Sequence, residues 1–200
     1  TCQNNRLSNF ICHLELYKMI IRLPGDILEF GVYKGVSLIQ FLTFRDCYES
    51  SDSRKIIGFD IFGKFPDGLS KNEDLTFVER FENEGGYGIS EKSLNIYLEK
   101  KGLKNYELIQ GDINKTLPDF INNNPEKRFS LIHLDVDVYE PTITVLEKTW
   151  DKLVPGGVLV LDDYGTVYGE TTGVEEFFKN KDVKIQKLPF KHKPSYIIKE

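Results

Sequence analysis

Two hundred residues with 26 Lys and Arg against 31 Asp and Glu, a net charge of −5 and a pI near 5.4, describe an acidic chain long enough to bury a real core. That balance argues against a nucleic-acid surface and for small-molecule work, and no run is long or apolar enough to span a membrane. No signal peptide is visible, and Cys2, Cys12 and Cys47 lack Cys-x-x-Cys spacing, so a reduced, cytoplasmic protein without a zinc site is expected, folded as one domain over 1–200.

Phe10, Leu14, Tyr17 and Ile21 recur at helical spacing and predict an amphipathic helix within residues 1–24, stopped by Pro24-Gly25. It would cover the core or form a dimer surface, hence an expected homo-oligomer. Asp26–Phe30 reads as a strand, and Gly31–Ser37 as a turn opening a helix with Leu38, Phe41 and Leu42. Glycines there let the backbone approach a ligand at the positive end of a helix. Taken alone the turn is weak, being neither the dinucleotide fingerprint nor a phosphate loop. Lys55–Asp60 is a second strand ending in an acid, at the distance where Rossmann-type sites place a ribose-binding carboxylate. Glu107–Gln110 is a third, running into Gly111-Asp112-Ile113. Together these outline a nucleoside pocket, although each acid singly reads equally as a cap or turn residue. The stretch 62–104 is the least regular. It holds a turn-rich loop at Phe62–Gly68, a glycine-rich segment at Glu82–Gly88 and a helix with Leu94, Tyr97 and Leu98. It is a candidate lid or substrate region, with a plain exposed loop as the alternative.

Leu131–Leu134 and Val158–Leu161 are short apolar runs that read as strands buried on both faces. Ile143, Leu146, Trp150 and Leu153 recur at helical spacing between them, with Pro155-Gly156-Gly157 closing the helix. Strand, helix and strand make a parallel unit, so Asp135, Asp137, Asp162 and Asp163 collect at the carboxyl edge where open α/β sheets bind ligands. Converging carboxylates repel unless a cation sits among them, and a hard divalent ion such as Mg2+ suits oxygen donors. Capping or backbone bonding is the plainer reading of any one of them. Thr171 or Thr172 reads as the N-cap of a last helix with Val174, Phe177 and Phe178. Val183–Leu188 and Ser195–Ile198 then read as a closing hairpin, with Lys191-His192-Lys193 as solvated surface between them.

Assembled, the chain resembles a class I S-adenosylmethionine-dependent methyltransferase, and more closely the macrocin O-methyltransferase (TylF/MycF-type) family of sugar O-methyltransferases. The segments that carry the resemblance are Gly25–Ser37, Gly58–Pro66, Gly111–Pro118, Leu134–Thr142 (L-D-V-D-V-Y-E-P-T) and Pro155–Gly165 (P-G-G-V-L-V-L-D-D-Y-G). The two aspartate motifs together are specific; the glycine loop is not. The resemblance implies a Rossmann-like α/β fold: a mostly parallel seven-stranded sheet with an antiparallel C-terminal strand and helices on both faces. It implies that Glu29, Gly31 and Gly35 hold the methionine end of S-adenosylmethionine, with Phe30, Tyr33, Ser37 and Asp135 beside it. Asp60 would take the ribose, and Gly111, Asp112 and Ile113 the adenine. Asp135, Asp162 and Asp163 would bind Mg2+ or another divalent cation. Asp137 and Glu140 would lie beside the ion or face a sugar or glycoside acceptor. Asp137, Glu140 and His192 are the candidate general bases, and Asp135 acts through the ion. Ile61 and Lys64 depart from the family's usual loop, and no catalytic histidine is matched between Asp67 and Lys104. A catechol-type enzyme is one rival, but its metal motif ends in Asp-Asn rather than Asp162-Asp163. A noncatalytic cofactor-binding module is another; a sugar-nucleotide dehydrogenase lacks its fingerprint here.

Overall fold

The computed structural model describes residues 2–66 and 71–200. Its centre is a seven-stranded sheet in the order β3-β2-β1-β4-β5-β7-β6. The strands are β1 (Asp26–Phe30), β2 (Ile56–Asp60), β3 (Tyr106–Gln110), β4 (Phe129–Leu134), β5 (Leu153–Leu161), β6 (Gln186–Lys187) and β7 (Ser195–Ile198). All neighbours pair in parallel until β7, which runs antiparallel to both β5 and β6. The order reverses beside β1, the switch point at which such sheets open a crevice. Register aligns Phe30 with Leu134 and Leu134 with Leu161, so Gly31, Asp135 and Asp162 leave the sheet in one row.

Alternation along the strands sends side chains to two helical layers. Leu28, Phe30, Ile132, Leu134, Leu159 and Leu161 pack with α5 (Ile113–Asn123), α6 (Tyr139–Thr149) and α7 (Tyr168–Phe178). Ile27, Leu131, Val158 and Val160 pack with α1 (Cys2–Ile20), α2 (Val36–Tyr48) and α4 (Glu91–Lys100). The expected fold class is thus observed, with helices on both faces. The amino ends of the strands are closed by two buried arginines. Arg45 donates to the carbonyls of Lys104 and Asn105 at 2.7 and 3.0 Å, and Arg54 to Glu49 and Ser130. Buried guanidinium groups persist because carbonyls and carboxylates occupy their donors.

Several local expectations shift. The buried stripe of α1 is Cys12, His13, Leu16, Tyr17 and Ile20, whereas Phe10 stays exposed, because the helix turns a face one residue away from the expected one to the sheet. Pro155-Gly156-Gly157 does not close α6, which ends at Thr149; it forms a bulge inside β5, where Leu153 pairs Phe129 but Val158 pairs Leu131. Neither Thr171 nor Thr172 caps α7. The helix starts at Tyr168, and the Thr171 hydroxyl donates back to the Val167 carbonyl at 2.6 Å. The expected strand Val183–Leu188 contracts to two residues. An unforeseen helix, α3 (Asn72–Gly85), occupies the irregular stretch, with Asp74 accepting from the Tyr139 amide at the start of α6. Of the Phe62–Gly68 loop, Asp67 and Gly68 lie outside the described residues. Among the described residues no helix is long and apolar enough to cross a membrane.

Candidate active site

A cavity of about 200 Å³ opens at the carboxyl ends of β1 to β4. Gly31, Asp60, the Gly111–Ile113 turn and Asp135 to Val138 form its floor, and Phe65, Pro66, Phe81 and Tyr87 its roof. Gly31 has φ +86°, and a Cβ there would collide with the Asp135 carbonyl, so only glycine lets β1 and β4 diverge this closely. Tyr33 ties floor to roof: its hydroxyl donates to the Gly85 carbonyl at 2.6 Å and its ring meets Phe81 edge-on. Asp60 accepts from the amides of Val32 and Tyr33 at 2.7 and 2.8 Å, and from Phe62 at 2.5 Å. It braces two loops before it can touch a ribose. Asp112 lines the cavity while capping α5, accepting from the Asn114 amide at 3.0 Å.

Four expected cofactor residues stand behind this wall rather than in it. Phe30 points into the core and stacks on Phe59 with centroids 4.9 Å apart. Glu29, one position earlier, faces the other way under α2, fully buried, and accepts from Ser37 Oγ at 2.7 Å. Burial pushes its carboxyl up to about 8. Gly35 caps α2 with φ +78°, facing Leu94. These residues shape the loop from behind.

The acids gather as three, not four. Oxygens of Asp135, Asp137 and Asp163 lie within 4.8 Å of one another. Asp137 sits at φ +64°, a left-handed backbone that aspartate adopts at a cost, though more readily than most residues with a side chain. Burial, then the charge of Asp163, pushes its carboxyl up to about 8. Burial and the charges of Asp162, Asp137 and Asp163 raise Asp135 well above the usual range. The Lys193 ammonium pairs directly with Asp163. Burial opposes that ammonium, but the bond to Asp163 and the charges of Asp162 and Asp135 outweigh it and raise its pKa. Glu170, wholly buried, accepts from the Asp163 amide at 3.0 Å while its own amide donates to the Asp137 carbonyl at 3.1 Å, locking the two loops together. Burial holds its carboxyl well above the usual range.

Asp162 stands beside Asp135 in register and is the largest charge acting on that carboxyl, but its own Oδ1 turns toward two histidines. Asp162 Oδ1 lies 3.5 Å from His133 Nε2 and 3.7 Å from His13 Nε2. Burial pushes Asp162 up, but the two imidazoles outweigh it and hold the carboxyl below its usual range. Of the expected ligands Asp135, Asp162 and Asp163, the structure brings Asp135 and Asp163 together with Asp137, while Asp162 Oδ1 faces the histidines. Glu140, in the first turn of α6, and His192, exposed in the loop before β7, do not line the cavity. His13, His133, Glu170, Lys193 and Phe81 escaped the sequence reading. The two histidines are 120 positions apart without motif spacing, and Lys193 belongs to a run read as solvated surface.

The macrocin-O-methyltransferase (TylF) family profile matches residues 4–189. Among curated relatives, 8-demethyl-8-(2,3-dimethoxy-alpha-L-rhamnosyl)-tetracenomycin-C 4'-O-methyltransferase of Streptomyces olivaceus is 29% identical over 145 residues, 71% of this chain and 54% of that protein. Mycinamicin III 3''-O-methyltransferase of Micromonospora griseorubida is 25% identical over 146 residues, 71% of this chain and 56% of its own length. The chain thus spans about half the length of the curated relatives it matches. Among solved structures, the O-methyltransferase NovP superposes with a TM-score of 0.81 at 21% identity, covering 97% of this chain and 79% of that one. The apo structure of CalS11, a TDP-rhamnose 3'-O-methyltransferase, gives 0.73 at 26% identity, covering 97% and 80%. By the extent of the family match and the shared fold, this chain belongs to the macrocin-O-methyltransferase (TylF) family.

Proposed function

We propose that the chain catalyses transfer of a methyl group from S-adenosylmethionine to a hydroxyl of a sugar or sugar-bearing natural product. The observation that carries this is Asp137: a strained, buried carboxyl at about 8 in the floor of a cavity that also presents Gly31 and the Gly111–Ile113 turn. A carboxyl poised there is matched to taking a hydroxyl proton near neutral pH. In this reading Gly31 and Tyr33 receive the methionine end and Asp112 and Ile113 the adenosine end, leaving the sulfonium over Asp135 and Asp137. Asp137 takes the proton as the acceptor oxygen bonds the methyl carbon and the carbon–sulfur bond breaks toward sulfur. Phe65, Phe81 and Tyr87 exclude water from that displacement, the role proposed for 62–104 as a lid.

The donors also fit a hard divalent ion. Asp135 and Asp163 offer only oxygen, lie within coordinating reach and are buried together with one ammonium between several carboxyls. Mg2+ is typically held by one or two carboxylates with the substrate completing its shell. Such an ion, when bound, would lower the pKa of an acceptor hydroxyl. A homo-oligomer through the outer face of α1 belongs to the same proposal, since Leu7, Phe10, Ile11 and Met19 remain exposed there.

The test is calorimetric titration of S-adenosylhomocysteine with and without Mg2+, followed by transfer of labelled methyl to a panel of rhamnosyl and other diol-bearing glycosides. Binding plus transfer to at least one glycoside is expected. Absence of cofactor binding in both conditions would overturn the reading.

A further inference from the structure

A second hollow, of about 240 Å³, lies between α3 and the start of α7, outside the cavity described above. We propose that it is a sugar subsite: it holds the glycosyl unit next to the one that is methylated, so the acceptor is the end of an oligosaccharide or polysaccharide. The inference rests on the methyl-transfer reading and extends it from one sugar to two.

The hollow continues the cavity along both walls. On one wall Phe81 lines the cavity and Phe77, one helical turn earlier, lines the hollow, and their rings stack with centroids 5.8 Å apart. On the other wall Asp163 lines the cavity and Thr166 the hollow, with the Thr166 hydroxyl 2.9 Å from Asp163 Oδ1. Buried Asp74 joins the walls. Its carboxylate accepts from the Tyr139 amide at 2.9 Å, and a Cβ on Gly169 would collide with its Oδ1 and with the Asp137 carbonyl. The hollow is therefore set between two elements that touch, beside Glu73 on α3 and Tyr168 on α7.

Composition sets the occupant. Tyr168, 56% exposed, and half-buried Phe77 offer aromatic faces, while Glu73 and Arg80 offer a carboxylate and a guanidinium. Thr76 and Thr166 donate their hydroxyl protons to the carbonyls of Asn72 and Asp163 and keep lone pairs for a ligand's hydroxyls. Among the described lining residues the one acid and the one base offset each other, so the hollow suits a neutral ligand and disfavours a diphosphate. An apolar aglycone would cover four polar side chains without giving them partners, which is costly. A pyranose meets both demands, because its C–H face can lie on an aromatic ring while its rim of hydroxyls exchanges hydrogen bonds with the polar groups.

The experiment uses the whole chain with S-adenosylhomocysteine bound. Three probe sets carry a terminal rhamnose, glucose or galactose, each as the methyl glycoside, the p-nitrophenyl glycoside and a disaccharide. Saturation-transfer NMR is expected to show contact to both rings of at least one disaccharide. Tyr168→Ala and Arg80→Ala should each confine that contact to the terminal ring, with unchanged S-adenosylhomocysteine affinity as the sign of an intact fold. In turnover with S-adenosylmethionine, the parent should favour that disaccharide over its methyl glycoside by about tenfold in kcat/KM, the scale of one aromatic contact, and Tyr168→Ala should erase the preference. Saturation confined to the terminal ring in the parent would overturn the proposal, as would a disaccharide preference that survives both substitutions. Stronger contact to the p-nitrophenyl ring than to a second sugar would assign the hollow to an aglycone and overturn it too. Contact to both rings without any methyl transfer would support the subsite and defeat the catalytic reading instead.

Discussion

Asp162 and Asp163 are adjacent, chemically identical and at the end of one strand, yet they enter two unlike environments. Asp163 joins Asp135 and Asp137 at the cavity, paired to an ammonium and surrounded by oxygen. Asp162, beside Asp135 in register, turns its Oδ1 to two imidazoles, one of them on α1. On the cavity side burial and neighbouring charges raise the carboxyls of Asp135 and Asp137; on the histidine side the two imidazoles hold Asp162 below its usual range. Side-chain direction at a strand end is thus enough to give two adjacent aspartates unlike partners.

The largest effect expected is on the cavity side. Asp137→Asn should lower kcat by roughly 10²–10⁴, the usual contribution of a general base, with S-adenosylhomocysteine affinity unchanged by calorimetry. Activity within about tenfold of the parent would remove Asp137 from that role. Gly31→Ala should cost about 2–4 kcal/mol, from left-handed strain plus overpacking against the Asp135 carbonyl. It moves the cavity cluster without altering a charge, so S-adenosylhomocysteine binding should fall.

Glu29 tests the side beneath α2. Its proton is retained to about 8 in the fold and is lost near 4.5 when unfolded, so stability declines as pH rises between those values. Asp135, Asp137 and Glu170 push in the same direction. Glu29→Gln removes one share of that slope. Relative to the parent, its stability should improve by about 1.4 kcal/mol per pH unit at most across the window, read from melts in EDTA. Parallel melting curves for the two proteins would contradict a protonated Glu29. The smallest change is Lys193→Met, which deletes the ammonium beside Asp163. Mg2+ should then bind tighter by on the order of tenfold after screening, as the competing charge is only partly exposed. Unchanged Mg2+ affinity would show that the ion lies away from Asp163.

The run of acids after β4 and β5, the glycine turn after β1 and the Gly111–Ile113 turn were all legible, since strand ends in a parallel sheet share an edge. The sheet core was legible for the same reason: Leu131–Leu134 and Val158–Leu161 are apolar on both faces and sit within strands that are buried there. Helix boundaries near glycine and threonine were less so. Pro155-Gly156-Gly157 is a stop signal in a helix and a bulge in a strand, and only the backbone partner Lys199, whose carbonyl accepts from Gly156 at 2.7 Å, distinguishes them. Lys193 read as surface because charge runs usually are, whereas the fold turns its ammonium into the acids.

By itself the sequence determined the parallel α/β architecture, the order of its functional loops and the family, because strand periodicity and short motifs are local properties. Tertiary structure alone decided which carboxylates meet. Glu29 and Phe30 withdrew from the cavity through the alternation of faces, and Asp162 turned its Oδ1 to two histidines. His13 met His133 because α1 packs across β4 and β5. Contacts between residues far apart in the chain arise from packing, and no local pattern records them.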